Sequence, residues 1–229
     1  MHRLCLLGCL WAMGLRATLA ATGPTNAASS PTNSTPAPAL RQVSDSVFEF
    51  GNVRFDKNAR TISFPAKVNM REDAIEYVLV HSSGKVHESV LATETEPYQI
   101  HIAAALLGWM IQSTNAASTN PASRSGQPIR ISVTWTNTGE AQTTPIEDLI
   151  LNTSTKAALS RGPWVYNGSR ISDGVFVAQR DGSITAIIDD VDAMINNPRP
   201  QNENDDIWRP ITEKIPPKGT QVQVTFKAD

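Results

Sequence analysis

Ile62, Phe64, Ala66, Val68 and Met70 alternate without a break along the chain. A helix gathers residues three and four apart onto one face, whereas a strand gathers every second residue, so this stretch is a half-buried strand. Pro65 falls out of phase with the apolar set and suits an edge strand or a bulge. Val53 and Phe55 precede it across Asp56-Lys57-Asn58-Ala59, which predicts a hairpin. Ile75 to Val80 and Val86 to Leu91 read as two further strands around Ser82-Ser83-Gly84-Lys85. Ile129, Ile131, Val133 and Trp135, then Val165 and Tyr166, repeat the theme, and Val222, Val224 and Phe226 come last. Val175–Gln179 and Ile184–Ile188 flank Asp181-Gly182, a pair that favours the positive φ angles of a type I′ hairpin turn. Helix is expected over Pro97–Ile111, with Pro at its start, Thr95 as N-cap and apolar residues on most faces, and over the shorter Asp189–Asn196. The fold class expected is α+β: a mainly antiparallel β-sheet with one buried central helix and a second short helix.

The N-terminal residues belong to another regime. Arg3 precedes the apolar run Leu4–Leu15, which is shorter than the ~20 residues needed to cross a bilayer, and Ala17-Thr18-Leu19-Ala20-Ala21 supplies small residues for cleavage. Residues 1–20 thus read as a signal peptide, and the chain as exported, periplasmic or secreted. Residues 21–44 read as a disordered Ala/Ser/Thr/Pro linker, because they bury too little apolar surface to offset the entropy of ordering. Residues 45–229 read as one β-rich domain with a mobile Ser/Thr/Asn loop at 113–127. Both cysteines, Cys5 and Cys9, lie in the signal segment. The mature chain then has no disulfide, no thiolate nucleophile and no Cys-ligated metal or cluster, and no cofactor is expected. Without Arg3 and Arg16, 18 basic side chains face 22 acidic ones, a net charge of −4. That balance argues against nucleic acid as a partner, and no later segment is apolar for long enough to span a membrane.

Ionisable residues of both signs gather in Lys85-Val86-His87-Glu88-Ser89. With Ser83-Gly84 as a two-residue hairpin loop, Glu88 shares the apolar face of Tyr77, Leu79 and Val90, where it needs a cation or hydrogen-bond donors. His101, on the expected covering helix, is placed to approach it. Lys85, His87, Glu88 and His101 are therefore the candidate catalytic residues, for acid–base or metal chemistry. Against this, His87 and Glu88 are neighbours on a strand and point to opposite faces, the spacing is no zinc signature, and a polar pair joining helix to sheet explains the same residues. Ser89 lacks the sharp turn of a nucleophile elbow. Arg161, Trp164, Tyr166 and Arg170 combine aromatics and cations, as a ligand cleft or as packing at the core edge. Asp189, Asp190 and Asp192 lack the spacing of a calcium loop.

The strings Phe48-Glu49-Phe50-Gly51-Asn52-Val53, Gly84–Ser89, Pro163-Trp164-Val165-Tyr166 with Gly168-Ser169-Arg170, and Asp181-Gly182-Ser183 ahead of Asn196-Asn197-Pro198-Arg199 resemble the bacterial YdjY-domain family from about residue 46 onward. The resemblance implies a bacterial envelope protein and carries no assigned activity. Some relatives accompany iron–sulfur ligand cysteines; this chain departs from them, having none after Cys9. Two functional classes remain. One is a non-catalytic module binding a protein partner or small ligand in the envelope. The other is a hydrolase-type enzyme or metal-binding protein using His87, Glu88 and His101.

Overall fold

In chain order the strands are β1 (Leu40–Gln42), β2 (Val47–Phe50), β3 (Val53–Asp56), β4 (Thr61–Val68), β5 (Tyr77–His81) and β6 (Ser89–Thr93). Helix α1 (Pro97–Leu106) follows, then β7 (Gln127–Asn137), β8 (Glu140–Pro145), β9 (Ile150–Asn152), β10 (Ala157–Ala158), β11 (Trp164–Tyr166), β12 (Ile171–Ser172) and β13 (Val175–Phe176). Helix α2 (Val177–Asp181), β14 (Ser183–Ala186), β15 (Ile195–Asn196), β16 (Trp208–Pro210) and β17 (Gln221–Ala228) complete it. This is a computed structural model, and it describes residues 38–109 and 126–229. Contacts divide the chain into Met1–Pro36 and Ala37–Asp229, and all described residues lie in the second unit. The signal peptide expected at 1–20, most of the linker expected at 21–44 and nearly all of the loop expected at 113–127 fall outside the described residues.

The β4 alternation holds: Ile62, Phe64, Ala66 and Val68 are buried, with their neighbours less so. Val222, Val224, Phe226 and Ala228 of β17 do the same beside it, and Phe64 meets Phe226 edge-on at 5.2 Å. Strands β4, β17, β7, β11, β15, β14, β5 and β6 are hydrogen-bonded in that order, and β6 returns to β4. Eight strands therefore close a barrel, which removes the open edges a flat sheet would leave. Strands β3, β2 and β1 extend the sheet from β4, and β8 from β7. The pairings are mainly antiparallel, the exceptions being β14 with β15 and β5 with β6.

Pro65 sits in an internal strand rather than at an edge. β3 pairs β4 as far as Ser63, and β6 takes over from Lys67. No ladder asks for an N–H at the gap between them, and the Pro65 carbonyl accepts from Thr93 Oγ1 at 2.6 Å.

Several expectations are corrected. β5 and β6 run parallel, with Tyr77 opposite Ser89 and Leu79 opposite Leu91, and are no hairpin. Residues 82–88 carry the chain back along β5 through a 3-10 turn, Val86–Glu88; a five-residue strand is only ~16 Å long, so so short a return suffices. Asp181-Gly182 ends helix α2, where Gly182 has φ 71°, rather than turning a hairpin. A helix C-cap and a type I′ turn demand the same positive φ. The second short helix exists, but at Val177–Asp181; within the segment expected as helix, Asp189–Asn196, residues 189–194 are a turn leading into β15. There, Asp190 Oδ1 accepts the Asp192 N–H at 2.8 Å and Asn196 Oδ1 accepts the Asp190 N–H at 2.9 Å. These side chains bond local backbone groups in place of a helical turn. α1 stops at Leu106, begins after Glu96 without a side-chain cap, and buries Ile100, Ala103 and Ala104 while Ile102 and Leu106 are exposed. It is half-buried on the sheet rather than enclosed. Strand pairing starts at Leu40, opposite Phe50, inside the segment read as linker.

Candidate functional site

The register of β5 decides where the Lys85 string goes. Tyr77 is buried, and its hydroxyl donates to Asp190 Oδ2 at 2.8 Å while accepting from Lys85 Nζ at 2.8 Å. Burial, then the Asp190 charge, pushes the phenol far above its ordinary range, so it stays neutral. Lys85 Nζ also lies 4.8 Å from the Tyr77 ring centroid and 3.6 Å from Glu88. Glu88 is not buried among apolar side chains as the hairpin register requires: it lies in the 3-10 turn, partly exposed. His87 Nε2 is 3.8 Å from the same carboxylate, beyond a hydrogen bond, with its side chain 78% exposed. Glu76 is held above its usual carboxyl range, first by burial and then by the Glu88 charge. Ser89 is buried and its hydroxyl donates to the Leu91 carbonyl. Together these groups fasten the return loop to β5 and to the turn at Asp190.

His101 has other neighbours. Its Nδ1 lies 2.8 Å from the Tyr166 hydroxyl, and its ring packs on Phe176 at 4.9 Å between centroids. Burial pulls the imidazole below its ordinary value and pushes the Tyr166 phenol up. Lys85, His87 and Glu88 are thus brought together by the 3-10 turn, while His101 is engaged with β11. Among the described residues, no three His, Cys, Asp or Glu side chains gather where they would hold a metal ion.

The other four candidates divide as well. Tyr166 is engaged with His101, and Arg170 pairs with Asp192 through Nε at 2.6 Å. Trp164 and Arg161 lead to a different site. The Trp164 Nε1 donates to Glu147 Oε1 at 3.0 Å, and the same oxygen accepts from Arg199 Nη2 at 2.9 Å. The Arg199 side chain is 9% exposed and that of Glu147 4%. Arg199 also donates to the Ser160 and Gly162 carbonyls and to Asn197 Oδ1, and its guanidinium lies 5.1 Å from the Trp164 ring centroid. Burial draws the guanidinium below its ordinary value, with the Glu147 charge acting against that; an arginine keeps its proton all the same.

Glu147 forms part of the wall of a pocket of about 280 Å³, near the small end for ligand sites. β7 contributes Arg130, Ile131 and Ser132, β17 contributes Lys227, and Pro145, Arg161 and Gly162 complete the lining. Arg161 reaches Asp148 through Nε and Nη2 at 3.0 and 2.5 Å, and Arg130 reaches Asp229 through the same two nitrogens at 2.8 and 3.4 Å. Sequence reasoning singled out Arg161 and Trp164 but missed Glu147, Arg130 and Lys227. Glu147 and Arg199 are 52 residues apart, and neither carries a local signature. The Asn196-Asn197-Pro198-Arg199 string is the one signal in the sequence that leads to Arg199.

No curated protein and no solved structure matches this chain. Residues 53–227 match the YdjY domain, which spans both the Lys85 string and the Glu147–Arg199 pair. The chain belongs to the YdjY domain family.

Proposed function

We propose that this chain is an exported, non-catalytic binding module of the bacterial envelope, with its ligand site at the Glu147 pocket. One observation carries the reading: three of the charged groups that line that pocket are each held by a second group. Glu147 is fixed by Trp164 and Arg199, Arg161 by Asp148, and Arg130 by Asp229. Walls held this way favour binding, since little ordering cost is left for the moment of association. A catalytic base, by contrast, needs a group free to take and give a proton. The reading of His87, Glu88 and His101 as one centre has less support, because His101 bonds Tyr166 while Glu88 neighbours Lys85 and His87.

Two measurements test the proposal. Residues 1–44 fused to a phosphatase that is active only outside the cytoplasm should give reporter activity, and an inactive fusion would sink the export half. The purified chain should not turn over ester, phosphate or glycoside chromogens. Turnover abolished by Glu88→Gln or His101→Gln would replace the binding module with an enzyme.

A further inference from the structure

The charges around the Glu147 pocket do not cancel, and the remainder points to a ligand. Arg199 lies against Glu147. Asp148 offsets Arg161, and Asp229 offsets Arg130. Lys227 lines the pocket too, and among the described residues it forms no ion pair. Lys227 therefore brings a positive charge without an opposite partner to a recess whose other walls include Ile131 and Pro145.

We propose that this pocket binds a small organic acid through its carboxylate, an assignment that rests on the binding-module reading above. Arg130 and Arg161 both line the pocket. A guanidinium has about five N–H donors, and each arginine commits only its Nε and Nη2 edge to an aspartate. The aspartates hold the guanidinium planes in place, and the remaining donors stay available for a planar carboxylate. Lys227 supplies the charge that balances it. The hydroxyl of Ser132 offers one more donor, while Ile131 and Pro145 give a short hydrocarbon body somewhere apolar to rest. An amine would meet Arg130, Arg161 and Lys227 at the wall, where the lining carboxylate, Glu147, is already engaged by Trp164 and Arg199. A phosphate dianion would bring more negative charge than the one unbalanced cation offsets.

Titration of the purified, isotope-labelled chain with butyrate, butyramide, butylamine and inorganic phosphate tests this by backbone amide shifts. Butyrate should move the Ser132, Gly162 and Lys227 amides saturably, and the other three should not. Lys227→Met should weaken butyrate binding about tenfold or more, as expected when a charge-assisted contact is lost. Lys218→Met, an exposed lysine away from the pocket, should leave it unchanged. Shifts caused by butyramide, butylamine or phosphate in place of butyrate would overturn the carboxylate assignment and leave the binding module standing. An unchanged affinity in Lys227→Met would also overturn the assignment. If none of the four probes moves these amides, both the assignment and the module reading fail.

Discussion

Gly84 and Gly182 meet backbone to backbone: a Cβ built on Gly182 would lie 2.8 Å from the Gly84 Cα, and one built on Gly84 would lie 2.8 Å from the Asp181 carbonyl oxygen. The contact joins the return loop after β5 to the end of α2. It is reinforced by the His81 N–H, which donates to the Gly182 carbonyl at 2.8 Å. Gly84→Ala should therefore lower stability by about 1–3 kcal/mol, the usual cost of forcing atoms into a packed contact. A urea midpoint equal to that of the unaltered chain would mean the two segments separate at no cost.

The Glu147–Arg199 pair should be among the most sensitive points of the fold. Arg199→Met leaves a carboxylate buried without its cation, at a cost of about 3–5 kcal/mol. Glu147→Gln keeps an acceptor for Trp164 Nε1 and removes only the charge. The double variant should lose less than the two single losses added together, because the partners are coupled. Additive losses in chemical denaturation would show that the pair is not a unit.

Substitutions in the Lys85 string should separate by burial. His87→Ala, at an exposed side chain, should stay within about 0.5 kcal/mol, and Glu88→Gln within about 1 kcal/mol, as for partly exposed ion pairs. Tyr77→Phe should cost more, about 1–3 kcal/mol, because the buried hydroxyl joins Lys85 to Asp190. Equal effects for all three variants in urea titrations would contradict this ordering.

Acid should act through His101. Burial holds its folded pKa below the ordinary imidazole value, so on acidification the unfolded chain takes up the proton first. The stabilisation is complete above roughly pH 6.5, the unfolded value, and is lost as pH falls through the lower folded value. The midpoint of thermal unfolding should drop between pH 7.5 and 5 by less in His101→Gln than in the unaltered chain. Identical drops would mean that the imidazole titrates alike in both states.

Glu76 works in the opposite sense. Its folded pKa is raised by burial and by the Glu88 charge, so its favourable contribution is present below the unfolded carboxyl pKa and lost as pH rises through the folded one. Glu76→Gln should then raise the urea midpoint at pH 7 and have little effect near pH 3. A lower midpoint at pH 7 would show that the carboxylate is favourably paired in the fold.

What the sequence makes legible follows from what is local. Period-two alternation identifies β4, β7 and β17, because side chains alternate whatever strand lies alongside. It does not identify the direction of a partner, and so Ile75–Val80 and Val86–Leu91 look like a hairpin although the chain doubles back to pair them in parallel. Asp181-Gly182 announces a positive φ and leaves open whether a turn or a helix end needs it. Asp189, Asp190 and Asp192 suit a helix start, yet the Asp190 side chain bonds local backbone first. Of the site, Trp164 and Arg161 draw attention as an aromatic beside a cation. Glu147, Arg130 and Lys227 do not, because the pairing of β7 with β17 and the 3-10 turn Ile146–Leu149 after β8 bring them together.

The position of β17 has a consequence for how the barrel is assembled. It is the last strand in chain order, yet it lies between β4 and β7 and pairs with both. Until residues 221–228 arrive, β4 and β7 each lack the strand that pairs along one of their sides. Closing the gap joins Phe226 to Ile62, 164 positions apart in the sequence, the kind of distant pairing that forms slowly. The folding chain thus stays open along one seam until β17 slots in, and during that interval it is vulnerable to pairing with other chains rather than with itself.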